Sequence, residues 1–101
     1  MKTTGSLPIP IIVLDGQNVI KCRDVIVQSI TVAQSLHAQA QLKPNQYIAL
    51  AEMAAMTTLI DEAGNQHPLT YDALAESSRQ NLSTLQTLIA EVDAKEQAES
   101  S

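Results

Sequence analysis

The sequence contains no Phe, no Trp and only two Tyr, so aromatic residues make up 2% of its 101 positions. Any hydrophobic core must therefore be built from Ala, Leu, Ile, Val and Met. Proteins that bind single-stranded nucleic acid stack the bases on aromatic side chains. Because this chain has almost none, its composition argues against that class of protein.

Cysteine and glycine are also scarce. The single Cys22 has no second cysteine with which to form an internal disulfide, which is typical of a reducing compartment, and we expect a cytoplasmic protein. Gly5, Gly16 and Gly64 stand far apart, so no glycine-rich loop is present to bind a phosphate group. The longest weakly charged run, residues 47–60, is shorter than the roughly 20 residues that a membrane-spanning helix needs. We therefore expect no membrane partner.

Positive charge is in deficit, and it is unevenly placed. Residues 1–60 contain four basic and three acidic side chains, whereas residues 61–101 contain two basic and eight acidic ones, for a formal net charge of -5. The acidic second half would repel a phosphate backbone, so we expect no nucleic-acid partner. A content of 45% apolar and 17% charged residues is typical of one small folded domain.

The first third of the chain has the pattern of a β-hairpin. Residues 9–14 are rich in β-branched side chains, and Asp15-Gly16 favours a two-residue type I′ turn. A second strand is predicted over residues 19–22, and after Arg23-Asp24 the β-branched residues 25–27 either extend it or begin a third short strand. Because a two-stranded hairpin is barely stable alone, its apolar face should pack on helices.

Helix start signals follow the hairpin. Thr31 and Gln34 have capping-box spacing, the hydroxyl of Thr70 can cap a short helix, and Ser77 with Gln80 repeats the capping-box spacing. The predicted helices cover residues 32–41, residues 47–60, a short segment after Thr70, and the segment from Ser77 to residue 94.

The second predicted helix, residues 47–60, is apolar on every face apart from Glu52, which is typical of a buried helix. We expect Glu52 to be solvated at an edge or paired with Arg23 or Lys43. Residues 61–68 contain Gly and Pro and predict a loop.

Together these elements predict an α+β protein in which an N-terminal β-hairpin packs on a small bundle of about four helices. We expect residues 1–8 to form a flexible N-terminus, because they are polar and have nothing to bury. Residues 9–94 should form a single α+β domain. Residues 95–101 should be a disordered tail, because they too have nothing to bury.

Residues that could carry catalysis or bind a metal are few. His37 and His67 each lack a second His or Cys at helical spacing, which argues against a metal site. Cys22 has no glycine-rich turn or helix start to lower the pKa of its thiol, so we interpret it as a small core residue. The sequence therefore predicts neither an enzyme nor a protein with a cofactor.

An apolar stripe in the last predicted helix is the remaining signal, and it has two interpretations. Core packing is the default for residues at this spacing, and a partner-binding surface is the alternative. Since a domain this small has little room to bury the whole stripe, we expect Leu88 and Val92 to stay accessible. The stripe consists of Leu82, Leu85, Leu88, Ile89 and Val92.

The order of elements resembles that of the tail assembly chaperones of long-tailed phages and Mu-like prophages. The similarity covers residues 9–93 and includes the hairpin motifs at residues 11–16 and 19–23. A more specific likeness is residues 68–78, with a Leu-Thr cap, a short helix and a second cap before the Leu-rich helix. The sequence departs from the family pattern where Asp24 follows Arg23, and where Ser78 replaces an expected Asp.

The resemblance implies a non-catalytic chaperone. Proteins of this family bind the long, helical, apolar tape measure protein, keep it soluble and help recruit tail-tube subunits. The tape measure protein and the tail-tube protein are therefore the expected partners, with the apolar stripe as the contact surface. A homo-oligomer is a further expected association, because a core this small is only marginally stable on its own.

Two other classes of protein remain as alternatives. The first is a small oligomeric adaptor or antitoxin-like protein, for which an acidic chain without a catalytic constellation is also suitable. The second is a helix-turn-helix DNA-binding regulator. Against the second, residues 43–45 lack the usual Gly of the turn, and the helix that follows carries no Arg, Lys or Asn to read bases.

Overall fold

The structure, a computed structural model, describes residues 1–100. Within this range an antiparallel sheet of four strands in the order β1-β2-β3-β4 is combined with four helices. The predicted α+β class, with an N-terminal hairpin and about four helices, is confirmed. In chain order the elements are β1 (Lys2–Asp15), β2 (Asn18–Gln28), α1 (Val32–Ala40), α2 (Ile48–Met56), β3 (Thr57–Asp61), β4 (Gln66–Pro68), α3 (Tyr71–Ala75) and α4 (Arg79–Ser100).

The turn between β1 and β2 lies one residue later than predicted. Asp15 and Asn18 are the last paired residues, so the two central positions are Gly16 and Gln17. Gly16 has a φ of 63°, while the only described non-glycine residue with positive φ is Asn45. A positive φ at the first central position alone is typical of a type II′ turn, so the predicted type I′ turn is wrong.

The N-terminal residues, which we predicted to be flexible, form the first half of β1. Residues 2–6 pair with residues 24–28 of β2, and Leu7 is 1% exposed. The prediction was wrong because the polar residues of this segment are held by backbone hydrogen bonds to β2. Such bonds do not depend on side-chain hydrophobicity and leave no signal in the composition.

Pairing between β1 and β2 is interrupted between Ser6 and Ile11, where the sequence contains two prolines. The side chain of Asn81 on α4, which is fully buried, replaces the missing backbone partner. Its Oδ1 accepts a hydrogen bond from the Ile9 N–H at 3.1 Å, and its Nδ2 donates to the Ile9 carbonyl at 2.8 Å. Arg23 Nη1 donates hydrogen bonds to the carbonyls of Leu7 and Pro8, the two residues before Ile9.

Replacing Asn81 should therefore destabilise the fold. In an Asn81→Ala variant the Ile9 N–H and carbonyl lose buried partners, which costs about 1–3 kcal/mol of the free energy of unfolding. The matched change Gln86→Ala, at an exposed position of the same helix, should stay within about 0.5 kcal/mol of wild type. Urea denaturation of both variants measures the difference, and equal stabilities would contradict the role of Asn81.

The segment predicted as one helix over residues 47–60 is a helix followed by a strand. Helix α2 ends at Met56 because Thr57 begins a segment rich in β-branched residues, and its hydroxyl donates to the Met53 carbonyl at 2.8 Å. The predicted loop over residues 61–68 is a turn with Gly64 at a φ of 86°, followed by β4. Ala51, Met53 and Ala54 of α2 are buried, whereas Ile48, Ala49 and Ala55 are exposed, so the helix contributes one face to the core and the prediction of a fully buried helix is confirmed only in part.

The core lies between one face of the sheet and the helices. Helix α4 packs on β1 and β2, and Leu88 of α4 lies so close to Gly5 that a Cβ at position 5 would stand 2.7 Å from Leu88 Cδ1. The helix continues to Ser100, so the predicted disorder from residue 95 is wrong for residues 95–100, while Ser101 lies outside the described residues. Lys95 Nζ donates to the Lys2 carbonyl at 3.3 Å, which joins the end of α4 to β1.

The predicted helix caps are confirmed at two of three positions. Thr31 and Gln34 form the expected capping box of α1, and the Thr70 hydroxyl accepts from the Ala73 N–H at the start of α3. For α4 the predicted cap is wrong by one residue. Ser78, rather than Ser77, accepts a hydrogen bond from the Gln80 N–H.

Candidate functional site

The apolar stripe of α4 faces the sheet. Leu85 and Val92 have no exposed surface and Leu88 is 8% exposed, while Leu82 and Ile89 are half-buried against the same core. The expectation that Leu88 and Val92 remain accessible is therefore wrong. Residues 2–7, which the sequence analysis treated as a flexible end, belong to the strand on which the stripe packs.

An open groove of about 670 Å³ lies between α1, α2 and the segment that enters α3. Half of its sixteen lining residues are apolar, and five of these are alanines. The other half are polar or charged: Gln34, His37, Gln41, Lys43, Gln46, Thr70, Tyr71 and Asp72. Ala54 and Leu69 at its base are buried, whereas Ala33 and Ala55 on its walls are exposed. The apolar lining residues are Ile30, Ala33, Ala38, Leu42, Ala51, Ala54, Ala55 and Leu69.

Local hydrogen bonds hold the walls of this groove in place. The Thr31–Gln34 capping box defines the start of α1. The Tyr47 N–H at the start of α2 donates to Tyr71 Oη at 2.9 Å, which connects α2 to the start of α3. Asn45, at a φ of 70°, lies in the turn that joins α1 to α2. The groove is therefore formed before any partner binds.

Helix α1 has an unusual distribution of polar and apolar residues. None of its residues is buried, and Val32 and Leu36, one helical turn apart, are 77% and 59% exposed. Its polar residues Ser35 and Gln39 instead point to α2, where both donate hydrogen bonds to Glu52 Oε1. Val32 and Leu36 therefore form an exposed apolar pair that does not line the groove.

The charge on α2 therefore has a different partner from the ones we predicted. Glu52 is half-buried and accepts from Ser35 Oγ and Gln39 Nε2 of α1. The interpretation of Glu52 as a partner of Arg23 or Lys43 is wrong, because neutral donors on α1 satisfy its carboxylate.

A second apolar surface lies on the far end of the β1–β2 hairpin. We call Ile12, Leu14 and Val19 the hairpin patch; they are 53%, 73% and 62% exposed. Leu14 and Val19 are direct cross-strand partners, so their side chains lie on the same face of the sheet. This face is opposite to the one that carries the buried Ile11 and Cys22.

Of the two histidines considered in the sequence analysis, His67 lies in the sheet, whereas His37 is exposed on α1. Asp61 is buried, and its carboxylate accepts from His67 Nε2 and from the N–H groups of Ala63 and Asn65, all at 2.9 Å. The hydrogen bond from His67 is the main reason that the pKa of Asp61 is lowered, and the two backbone donors add to it. These contacts shape the turn between β3 and β4.

The interpretation of Cys22 as a small core residue is confirmed, because its side chain has no exposed surface. Burial raises the pKa of its thiol, and the charge of Asp61, its cross-strand partner, raises it further. In residues 1–100, no three His, Cys, Asp or Glu side chains are grouped in a way that could hold a metal ion.

The lowered pKa of Asp61 predicts a pH dependence of stability. A carboxyl group whose pKa is lower in the folded state contributes stability above its unfolded pKa of about 3.9, and this contribution is lost as the pH falls through the folded value. An Asp61→Asn variant should therefore lose less stability than wild type between about pH 5 and pH 3. Urea unfolding across this range checks it, and parallel losses in the two proteins would contradict it.

Comparison of the chain with family models, with curated proteins and with solved structures finds no match. None of the described helices combines the length and the apolar character needed to cross a membrane.

The sequence analysis predicted neither the groove nor the exposure of Val32 and Leu36. A signal for the exposed pair was present in α1, where Val32 and Leu36 stand four residues apart. The groove itself left no such signal, because its lining comes from two helices and from Leu69, and only the fold brings these residues together.

Proposed function

We propose that this protein is a non-catalytic tail assembly chaperone that binds an apolar helical segment of the phage tape measure protein, keeps it soluble and helps recruit tail-tube subunits. The observation that carries the proposal is the open, alanine-lined groove between α1 and α2. It is a different surface from the α4 stripe, which is occupied by the core.

The shape and chemistry of the groove suit a helix. Proteins that bind amphipathic helices place the apolar side chains at positions i, i+3, i+4 and i+7 of the helix into such a groove. Small side chains on the walls, such as Ala33 and Ala55, allow the backbone of a bound helix to approach closely.

The distribution of charge is consistent with a chaperone for an apolar partner. The chain has a formal net charge of -5, and the exposed end of α4 carries Asp93, Glu96 and Glu99. A complex that hides its apolar residues in the groove and presents carboxylates to water would repel other complexes and stay soluble.

The identity of the partner comes from the family resemblance. That resemblance depends on the order of a hairpin, a run of helices and a final Leu-rich helix, and the chain has this order except that β3 and β4 lie between α2 and α3. A tape measure protein is long, helical and apolar, which is the chemistry that this groove would select.

A small oligomeric adaptor is the second candidate, and the hairpin patch favours it, because an exposed apolar surface outside the groove indicates a second contact. The helix-turn-helix alternative has less support. Three residues of α2 are buried in the core, and the helix carries no basic residue for a DNA groove.

A charge in the groove should abolish binding of the tape measure protein. Ala55 is exposed and lines the groove, so Ala55→Glu should fold normally while placing an unpaired carboxylate against the apolar partner. After co-expression of the two proteins, we expect about tenfold less tape measure protein to co-purify with this variant, which corresponds to about 1.4 kcal/mol.

The matched control is Ala49→Glu, which places the same charge at another exposed alanine of α2 that does not line the groove. This variant should retain the tape measure protein at the wild-type ratio. Retention by both variants would contradict the groove as the binding site, and failure of the wild-type protein to retain any tape measure protein would contradict the proposed function.

A further inference from the structure

Strand β1 is an edge of the sheet, and its two halves differ in how they are protected. Natural edge strands avoid pairing with other chains by means of prolines, bulges and charges. The middle of β1 contains Pro8 and Pro10 and an interruption of pairing between Ser6 and Ile11. The segment Ile11–Leu14, by contrast, has no proline and no charge and consists of four large apolar residues.

The hairpin geometry shows which backbone groups of this segment are free. Asp15 and Asn18 close a two-residue turn and form a hydrogen-bonded pair, and pairs in an antiparallel ladder alternate between bonded and non-bonded. Val13 is therefore bonded to β2, whereas Ile12 and Leu14 direct their N–H and C=O groups to the open edge. No strand of the described chain lies beyond that edge, since β1 ends the sheet.

This end of the hairpin also extends past the rest of the sheet. Strand β3 pairs with β2 only from Cys22 to Val27, so residues 12–21 pair only with each other. The hairpin patch is thus on a projecting arm with an open edge, and no residue from 12 to 21 lines the groove.

We propose that a second copy of this chain pairs with β1 along this edge, antiparallel and with its two-fold axis at Val13. In this register Ile12 lies opposite Leu14 of the second copy, and the two Val13 residues lie opposite each other. Ile12 and Leu14, whose backbone groups are free, then form the hydrogen-bonded pairs, so the geometry is consistent with the alternation in β1.

Side-chain pairing favours a second copy over an unrelated strand. On the outer face of the dimer, each row of side chains across the four strands would consist of Val19 and Leu14 of one copy followed by Ile12 and Lys21 of the other. The two central residues of the row, Leu14 and Ile12, are both apolar. The charged Lys21 side chains would lie at the two ends, away from each other. An isologous contact of this kind needs a self-complementary surface, and this register provides one.

Neighbouring registers are less favourable. An axis at Ile12 would place Pro10, which cannot donate a backbone hydrogen bond, opposite Leu14. An axis at Leu14 would place Ile12 opposite Gly16 in the turn. Charge does not oppose the contact, because residues 1–24 contain three basic and two acidic side chains, whereas most acidic residues lie in the second half of the chain.

The contact is small, so the dimer should be reversible. It involves about five residues of one strand and the hairpin patch in each copy, less than the roughly 800 Å² per partner of a standard interface. The inference does not depend on the proposed function, because it uses none of the groove residues. If both hold, the dimer presents two grooves, and two linked sites bind a long partner more tightly than one.

Sedimentation equilibrium tests the inference over protein concentrations from about 5 to about 500 μM, the range in which weak interfaces associate. The average mass of the wild-type protein should rise from the 10.9 kDa of the monomer towards twice that value. In Leu14→Lys it should stay at the monomer value, since this exposed residue can be replaced without loss of fold. In the control Leu36→Lys, at an exposed residue of α1, the increase should be unchanged.

A disulfide tests the register independently of mass. In the proposed register Val13 and Val13 of the second copy form a non-hydrogen-bonded pair across the interface. The Cα atoms of such a pair lie about 4.5 Å apart, within the range of disulfides. Under mild oxidation Val13→Cys should therefore give a covalent dimer, while Leu36→Cys and the wild-type protein, whose only cysteine is buried, should not. A wild-type protein that stays monomeric at every concentration, or Val13→Cys that cross-links no more than Leu36→Cys, would overturn the inference.

Discussion

The contact between α4 and the sheet is the interaction on which the rest of the structure depends. Leu85, Leu88 and Val92 fill the space above β1 and β2, and Gly5 leaves room for Leu88. A small protein without Phe or Trp must build its core from many aliphatic side chains, and α4, its longest helix, supplies three of the buried ones. A partner therefore has to bind to surfaces that α4 does not use.

Two surfaces remain, the groove and the open edge at the hairpin patch, and contacts elsewhere in the fold determine each of them. Ser35 and Gln39 of α1 donate hydrogen bonds to Glu52 of α2. The other faces of α1 therefore line the groove or expose Val32 and Leu36. Strand β1 is held at its prolines by Asn81 and Arg23, so only the part beyond the prolines is open for pairing. The proposed chaperone activity and the proposed dimer use different surfaces, and each can be lost without the other.

The features that could be predicted are those that depend on neighbours in the sequence. Local patterns of turn, capping and apolar residues predict the hairpin, the starts of α1 and α3 and the buried face of α2. The helix predicted over residues 47–60 failed after Met56, where β-branched residues can continue an apolar helix or begin a strand. Pairing with β2 selects the strand, and the paired residues of β2 lie 30 to 39 positions earlier in the chain.

By itself the sequence determined the α+β class, the order of most elements and the apolar stripe of α4, because periodicity and capping act within a few residues. It did not determine which face of which element would remain exposed. That was decided when residues 2–7 joined the sheet and covered the stripe, and when Ser35 and Gln39 turned towards Glu52. Exposure is the outcome of competition among all apolar surfaces for one small core, so only the tertiary structure can assign it.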